Sequence, residues 1–305
     1  MKKLLCVVSL VLLVCFAYGS LQKEASGIIN VEGAKLHYLI QGNGTPCLVL
    51  GASPPSIRTF SQKLRQNLKL IFLGLRHDAE SESSMEINKI TLDTYISDIE
   101  QARSTLGLKK VAVLGHSGHG LMALGYARKY PQNTSHLIMI GTPPYGDEKY
   151  AKATQEYWEK QGSAERKTIL KQNREKLTKD KLNKMTPMER FINEFSANAP
   201  LYFYDAKYDS AWIFKGFEYN LDVLNHVWGK VLADNGLDKV QGKISTPVFL
   251  ALGKYDYVSP YYLWDSMKDK FPNLSYNLFE KSGHFPMLEE QELFDQKLAD
   301  WVKSH

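Results

Sequence analysis

The chain has 305 residues, 44% hydrophobic and 23% charged, a globular composition that excludes a largely disordered or collagen-like protein. A chain of this length buries a large core without disulfide or metal staples. Its formal charge of +5, from 38 basic and 33 acidic residues, is too mild for a nucleic-acid or anionic-membrane surface, and no Lys/Arg block with interleaved aromatics occurs.

Met1-Lys2-Lys3 precedes an apolar run from Leu4 to Cys15, followed by Ala17-Tyr18-Gly19. A short positive region, an apolar run and small residues at −3 and −1 are the layout of a secretory signal peptide, here residues 1–19. The run is shorter than the roughly 20 apolar residues of a membrane span. The expectation is export to the periplasm or the medium, with a mature chain starting at Ser20 and no stable membrane span; the rivals are an uncleaved anchor and a lipoprotein at Cys15, the latter disfavoured by Leu12-Leu13-Val14 before the Cys. Cys6 and Cys15 leave with the leader, so no internal disulfide forms and Cys47 is a buried structural thiol.

Gly27–Val31 and Lys35–Ile40 alternate apolar and polar residues around Glu32-Gly33, which predicts an antiparallel hairpin. Apolar strands follow at Cys47–Leu50 and at Asn67–Leu75, centred on Leu70–Leu73, and the spacing from Ile90 to Leu106 suits a helix. Lys110–Leu114 is a further apolar strand that runs into Gly115-His116-Ser117-Gly118. Leu121–Tyr130 is helical up to Pro131, and His136–Ile140 is a strand. From Glu148 to about Asn193 the chain is Lys/Glu-rich and helical, and Ala197–Trp228 is rich in aromatics. The strand pattern resumes at Val248–Leu252. A helix is expected after Pro260, a strand at Leu274–Phe279 and a last helix from about Pro286 to Val302. Strands alternating with helices imply an α/β fold with a mostly parallel sheet flanked by helices. The core is assigned to residues 20–144 and 241–305, with a helical cap at 145–240 inserted between two strands.

The chemistry concentrates at three strand ends. Ser117 sits on a strand-to-helix turn, where its hydroxyl would stand above the sheet and the helix N-terminus would direct backbone N–H groups at a developing oxyanion. Asp256 follows Leu250–Gly253, and His284 follows Leu274–Phe279. All three then share the carboxyl edge of a parallel sheet, where open α/β folds place their sites. The rival roles are a helix cap for Asp256 and a surface loop residue for His284. His37, His136 and His226 are lone histidines, and Asp209 and Asp222 lie in the helical stretch. No metal-ligand spacing and no dinucleotide or phosphate loop is present, so neither metal nor cofactor is expected.

The elbow, the Gly-x-x-Asp segment and the Gly-His-x-Pro segment, in the order Ser…Asp…His, make residues from about 34 to 303 resemble an α/β-hydrolase-fold serine hydrolase with a helical cap. The resemblance is to the broad prolyl aminopeptidase and esterase-like branch. It implies Ser117 as nucleophile, His284 as base, Asp256 as its orienting acid, and an oxyanion hole from the N–H groups of Gly118 and Ser53. Two departures stand out. His119 occupies the position two after the serine, where the family has Gly, and is read as structural, with Gly118 and Gly120 relieving the crowding. Gly51-Ala52-Ser53-Pro54 replaces the His-Gly-x-Pro oxyanion loop, while Arg76–Ser81 keeps an Arg and a Ser but lacks the glycines of a common family loop.

The expected substrate is a small ester or a short peptide cleaved at its N-terminus. In the prolyl aminopeptidase-like group, cap carboxylates capture the free amine; Glu194, Asp205, Asp209 and Glu218 are the candidates, none assigned. Carbon–carbon bond hydrolysis on the same fold and a non-catalytic binding protein are the alternatives.

Overall fold

The computed structural model describes residues 24–51, 54–79, 85–144 and 148–305. The leader, with Cys6 and Cys15, lies outside the described residues, as do Ala52, Ser53, Glu80 and Ser81. Eight strands form one sheet: β1 (Ala25–Val31), β2 (Ala34–Gln41), β3 (Thr45–Leu50), β4 (Leu68–Leu73), β5 (Val111–His116), β6 (Thr134–Ile140), β7 (Val248–Gly253) and β8 (Leu274–Phe279). Their spatial order is β1-β2-β4-β3-β5-β6-β7-β8. The β1–β2 hairpin is antiparallel, turning at Glu32-Gly33, and β2 pairs antiparallel with β4; every other pairing is parallel. The six parallel strands therefore release their chains at one common edge.

The buried strands show why they read as continuous apolar runs. Side chains alternate between faces with a period of two, and both faces are covered. Leu48, Leu50, Ile71, Leu73, Val113, Leu137, Met139 and Leu250 join one core; Cys47, Val49, Leu70, Phe72, Leu114, Ile138, Ile140 and Phe249 join the other. Cys47 is buried and free, and burial pushes its thiol up to about 12.

Helices cover both faces. α1 (Pro54–Thr59) follows β3, and α2 (Leu92–Thr105) starts at a Thr91/Thr94 capping box and buries Tyr95, Ile96, Ile99 and Ala102 on the first core. α3 (His119–Lys129) follows β5 and stacks Leu121, Met122, Leu124 and Tyr126 on that same core. Between β6 and β7 the chain forms α4 (Glu148–Gln161), α5 (Ala164–Glu175), α6 (Lys179–Asn183), α7 (Pro187–Ala197), α8 (Ala199–Tyr202), α9 (Ala211–Phe214) and α10 (Leu221–His226). α10 runs directly into a π-helical turn, Val227–Val231. No strand occurs among the described residues of this segment. The chain closes with α11 (Pro286–Glu289) and α12 (Gln291–Ser304).

Two elements differ from the sequence reading. After Pro260 there are only two short 3₁₀ turns, Tyr261–Trp264 and Lys268–Lys270, in place of a helix. Tertiary anchors outweigh helix propensity here: the Tyr262 hydroxyl donates to the Ala153 carbonyl at 3.2 Å, and the buried Trp264 indole donates to the Thr142 carbonyl at 2.8 Å. The C-terminal helix is broken at Glu290, whose backbone is non-helical (φ −120°, ψ 51°). In an unbroken helix successive side chains diverge by about 100°. The break lets both Glu289 and Glu290 accept hydrogen bonds from the 281–285 loop.

Candidate active site

Ser117 is the one non-glycine residue with positive φ among the described residues, at 55°. A left-handed L-residue costs on the order of 1–2 kcal/mol, so the surrounding structure must impose it. The imposition is visible: the Ser117 N–H donates to the Ile140 carbonyl at 2.8 Å, while the Ser117 carbonyl accepts from Gly120 at 3.0 Å and so opens α3. The strand and helix cross so closely that a Cβ on Gly115 would lie 2.2 Å from the His119 carbonyl oxygen. A Cβ on Gly120 would lie 1.9 Å from Thr142 Oγ1. The crowding expected at position 119 thus falls on Gly115 and Gly120 instead. Gly118 faces Leu232 and Trp228 of the inserted segment, and His119 points its ring away from the crossing.

The other two strand ends converge on the same edge. Asp256 is fully buried and divides its oxygens: Oδ1 accepts from the backbone N–H groups of Val258 (3.0 Å) and Ser259 (2.7 Å), and Oδ2 meets His284 Nδ1 at 2.6 Å. Asp256 therefore caps a turn and pairs with the histidine at once. With Nδ1 on a carboxylate, the His284 tautomer that presents a basic Nε2 is selected. His284 is buried among the rings of His116, Tyr202 and Phe285. His116 Nε2 meets the His284 carbonyl at 2.8 Å, and the His284 N–H donates to the Tyr202 carbonyl. Ser117 and His284 line one cavity of about 360 Å³, together with Phe195, Tyr219, Trp228 and His119. No Asp, Glu, Lys or Arg lines it among the described residues.

Gly118 is the N-cap of α3, and no backbone carbonyl takes its N–H among the described residues. Ser53, the expected second donor, lies outside the described residues. His119 is half-buried and stacks on His77 with ring centroids 5.1 Å apart and a 19° interplanar angle. His119 Nε2 and His77 Nε2 share a hydrogen bond at 2.9 Å, and His77 Nδ1 meets the Tyr95 hydroxyl at 3.1 Å. Burial holds both rings neutral, with the His119 pKa lowered to about 4.

Sequence reasoning missed two fasteners of the site. Arg166 on α5 donates to the carbonyls of Pro200, Phe203 and Tyr204, and its guanidinium lies 5.6 Å and 5.5 Å from the ring centroids of Tyr255 and Tyr257, which flank Asp256. Glu289 accepts from Tyr204 N–H (2.6 Å), Gly283 N–H (2.8 Å) and Phe285 N–H (3.4 Å), tying the His284 loop to the inserted segment. A Glu three positions after a loop His-Phe-Pro is the only signal that pointed to it. His37 stays on the outer hairpin, and His136 packs against Trp301. His226 meets the Ile90 carbonyl at 3.0 Å, so none of the three joins the site. Asp209 and Asp222 also lie away from the cavity, at the starts of α9 and α10. Among the described residues no group of His, Cys, Asp or Glu is arranged to hold a metal ion.

A family model described as alpha/beta hydrolase fold matches residues 61–291. A Bacillus subtilis protein named AB hydrolase superfamily protein YclE is 34% identical over 280 residues, 92% of this chain and 99% of that protein. A proline iminopeptidase of Heyndrickxia coagulans is 23% identical, covering 91% of this chain and 98% of its own. Among solved structures, an alpha/beta fold family hydrolase from Bacillus anthracis superposes with a TM-score of 0.70 at 22% identity, over 92% of this chain and 99% of that one. An esterase from Exiguobacterium antarcticum gives 0.66 at 20% identity, over 90% and 98%. At these identities the superpositions speak for the fold.

Two stability tests follow. Ser117→Gly and Ser117→Ala both lose the hydroxyl, but only glycine relieves the left-handed backbone; the glycine variant should be about 1 kcal/mol more stable in urea denaturation. Burial, outweighing its three backbone donors, raises the Glu289 carboxyl from its usual 4.5 to about 7. A carboxyl raised in the folded state stabilises fully below its unfolded pKa, and that contribution is lost as pH climbs to the folded value. The stability of Glu289→Gln relative to wild type should therefore increase between about pH 4.5 and 7 and then level off, as read from paired urea melts; a flat difference would contradict it.

Proposed function

The chain belongs to the α/β-hydrolase family, and on that premise we propose that it is a serine hydrolase cleaving esters of neutral, apolar acyl groups through Ser117, His284 and Asp256. The single observation that carries this reading is the cavity. A left-handed Ser117 and an Asp256-paired His284 open into one space walled by Phe195, Phe214, Phe285 and other apolar groups, without a charged side chain among its described lining.

In the proposed reaction, Ser117 Oγ attacks the ester carbonyl carbon as its proton passes to His284 Nε2. Asp256 stabilises the resulting imidazolium and holds its orientation. The Gly118 N–H, at the start of α3, faces the developing oxyanion. Collapse expels the alcohol, which takes the proton from His284 and leaves the acyl group on Ser117. Water then attacks with His284 as base, releasing the acid and restoring the hydroxyl. The helices between β6 and β7 act as a cap that keeps bulk water from the acyl chain, and export through the leader makes the enzyme periplasmic or secreted. Its partner is the small-molecule substrate alone; no cofactor enters the reaction.

The proline iminopeptidase relatives motivate a second reading, cleavage of N-terminal peptide bonds. A free peptide amine is cationic, and burying it requires a counter-charge. Glu194, Asp205, Asp209 and Glu218 are absent from the described lining of the cavity, which favours the ester. Carbon–carbon bond hydrolysis and a purely binding role draw no specific support.

Kinetics on paired acyl esters and aminoacyl amides test this. Apolar acyl esters should turn over, with amides carrying a free prolyl amine slower by orders of magnitude. His284→Ala and Asp256→Asn should each lower kcat on the order of a thousandfold or more. Preference for the free-amine substrates would establish the second reading, and near-normal turnover in His284→Ala would remove the triad.

A further inference from the structure

Trp228 comes to the elbow from the inserted segment, and the triad has no use for it. It sits in the π-helical turn Val227–Val231, marked by Leu232 N–H donating to the Val227 carbonyl at 2.9 Å. Such turns are rare and concentrate at functional sites. Here the turn brings Trp228 and Leu232 over Gly118: a Cβ built on Gly118 would lie 3.1 Å from Trp228 Nε1 and 2.6 Å from Leu232 Cδ1.

The indole is oriented by two rings it did not meet in sequence. His77 and His119 each meet Trp228 edge-to-face, with centroids 5.1 Å and 5.2 Å away and interplanar angles of 84° and 83°. The two imidazoles are themselves held by the hydrogen bonds that run from His119 Nε2 through His77 to the Tyr95 hydroxyl. The family's glycine at position 119 would leave half of this plate missing. Trp228 keeps 37% of its surface exposed, lines the cavity, and has no acceptor on Nε1 among the described residues. An indole nitrogen is a donor only, so a group that it bonds must be an acceptor. A fixed donor beside the residue that carries the oxyanion N–H, with no acceptor of the protein's own, is placed for an oxygen of the bound substrate.

We infer that Trp228 is a substrate-binding residue whose indole N–H donates to the substrate oxygen lying over Gly118, with the His77–His119 pair as its positioning plate. The assignment rests on Ser117 being the nucleophile. It also specifies the substrate class further: an apolar acyl group joined to an oxygen acceptor at the reacting end.

The test uses the full-length exported enzyme and an apolar p-nitrophenyl acyl ester. Trp228→Phe keeps the ring and loses only the donor. It should melt within a few degrees of wild type and show kcat/KM lower by on the order of tenfold, the worth of one well-placed hydrogen bond. Trp228→Ala, losing the ring as well, should fall further. Kinetics of Trp228→Phe within twofold of wild type would overturn the donor, and a loss confined to Trp228→Ala would reduce Trp228 to an apolar wall. Hydrolysis by wild type that survives in Ser117→Ala would overturn the nucleophile and the Trp228 assignment with it. A Ser117-dependent reaction indifferent to Trp228→Phe overturns the Trp228 assignment alone.

Discussion

The left-handed backbone of Ser117 is the constraint on which the site depends. No serine adopts φ 55° for its own sake. The strain is held by a hydrogen bond to the end of β6, by the opening turn of α3, and by glycines at 115 and 120 that let helix and strand touch. The strained backbone is a cost to the fold. Together these features lift one hydroxyl clear of the sheet and put a helix N-terminus behind it. The parallel strands bring Asp256 and His284 to the same edge at no further cost, because every parallel strand ends there.

The rest of the structure ties that edge together. Asp256 is fixed by two backbone donors before it meets His284. His284 is fixed from behind by His116 and Tyr202. Arg166 and Glu289 reach across from opposite sides, one from the inserted helices to the rings beside Asp256, the other from α11 to the backbone of Tyr204. The inserted segment is thereby tied to the loops that carry Asp256 and His284. Among the described residues the cavity enclosed between them is apolar except for the site itself and a few neutral polar groups.

Much of this was legible in the sequence because it is local. The apolar runs named the strands to within a residue or two, and β8 came out at its observed limits. Gly115–Gly118, Asp256 and His284 could be placed because each follows such a run directly. What was not legible is what depends on side chains far apart in the chain. His119 reads from the sequence only as a structural departure; its meaning needs His77, 42 positions upstream, and Trp228, inside the insertion. The 3₁₀ turns after Pro260 and the break at Glu290 were hidden for the same reason, since tertiary anchors there outvote local propensity. The crowding was expected at residue 119 but falls on Gly115 and Gly120, because only the three-dimensional crossing shows which atoms meet.

The central claim is that this strained serine is an activated nucleophile. Reaction of the folded protein with a fluorophosphonate, followed by peptide mass spectrometry, tests it most directly. The account predicts a single covalent adduct, on Ser117, whose formation slows sharply in Asp256→Asn. A folded wild-type protein that stays unmodified at Ser117, or that is modified equally fast without Asp256, would contradict it.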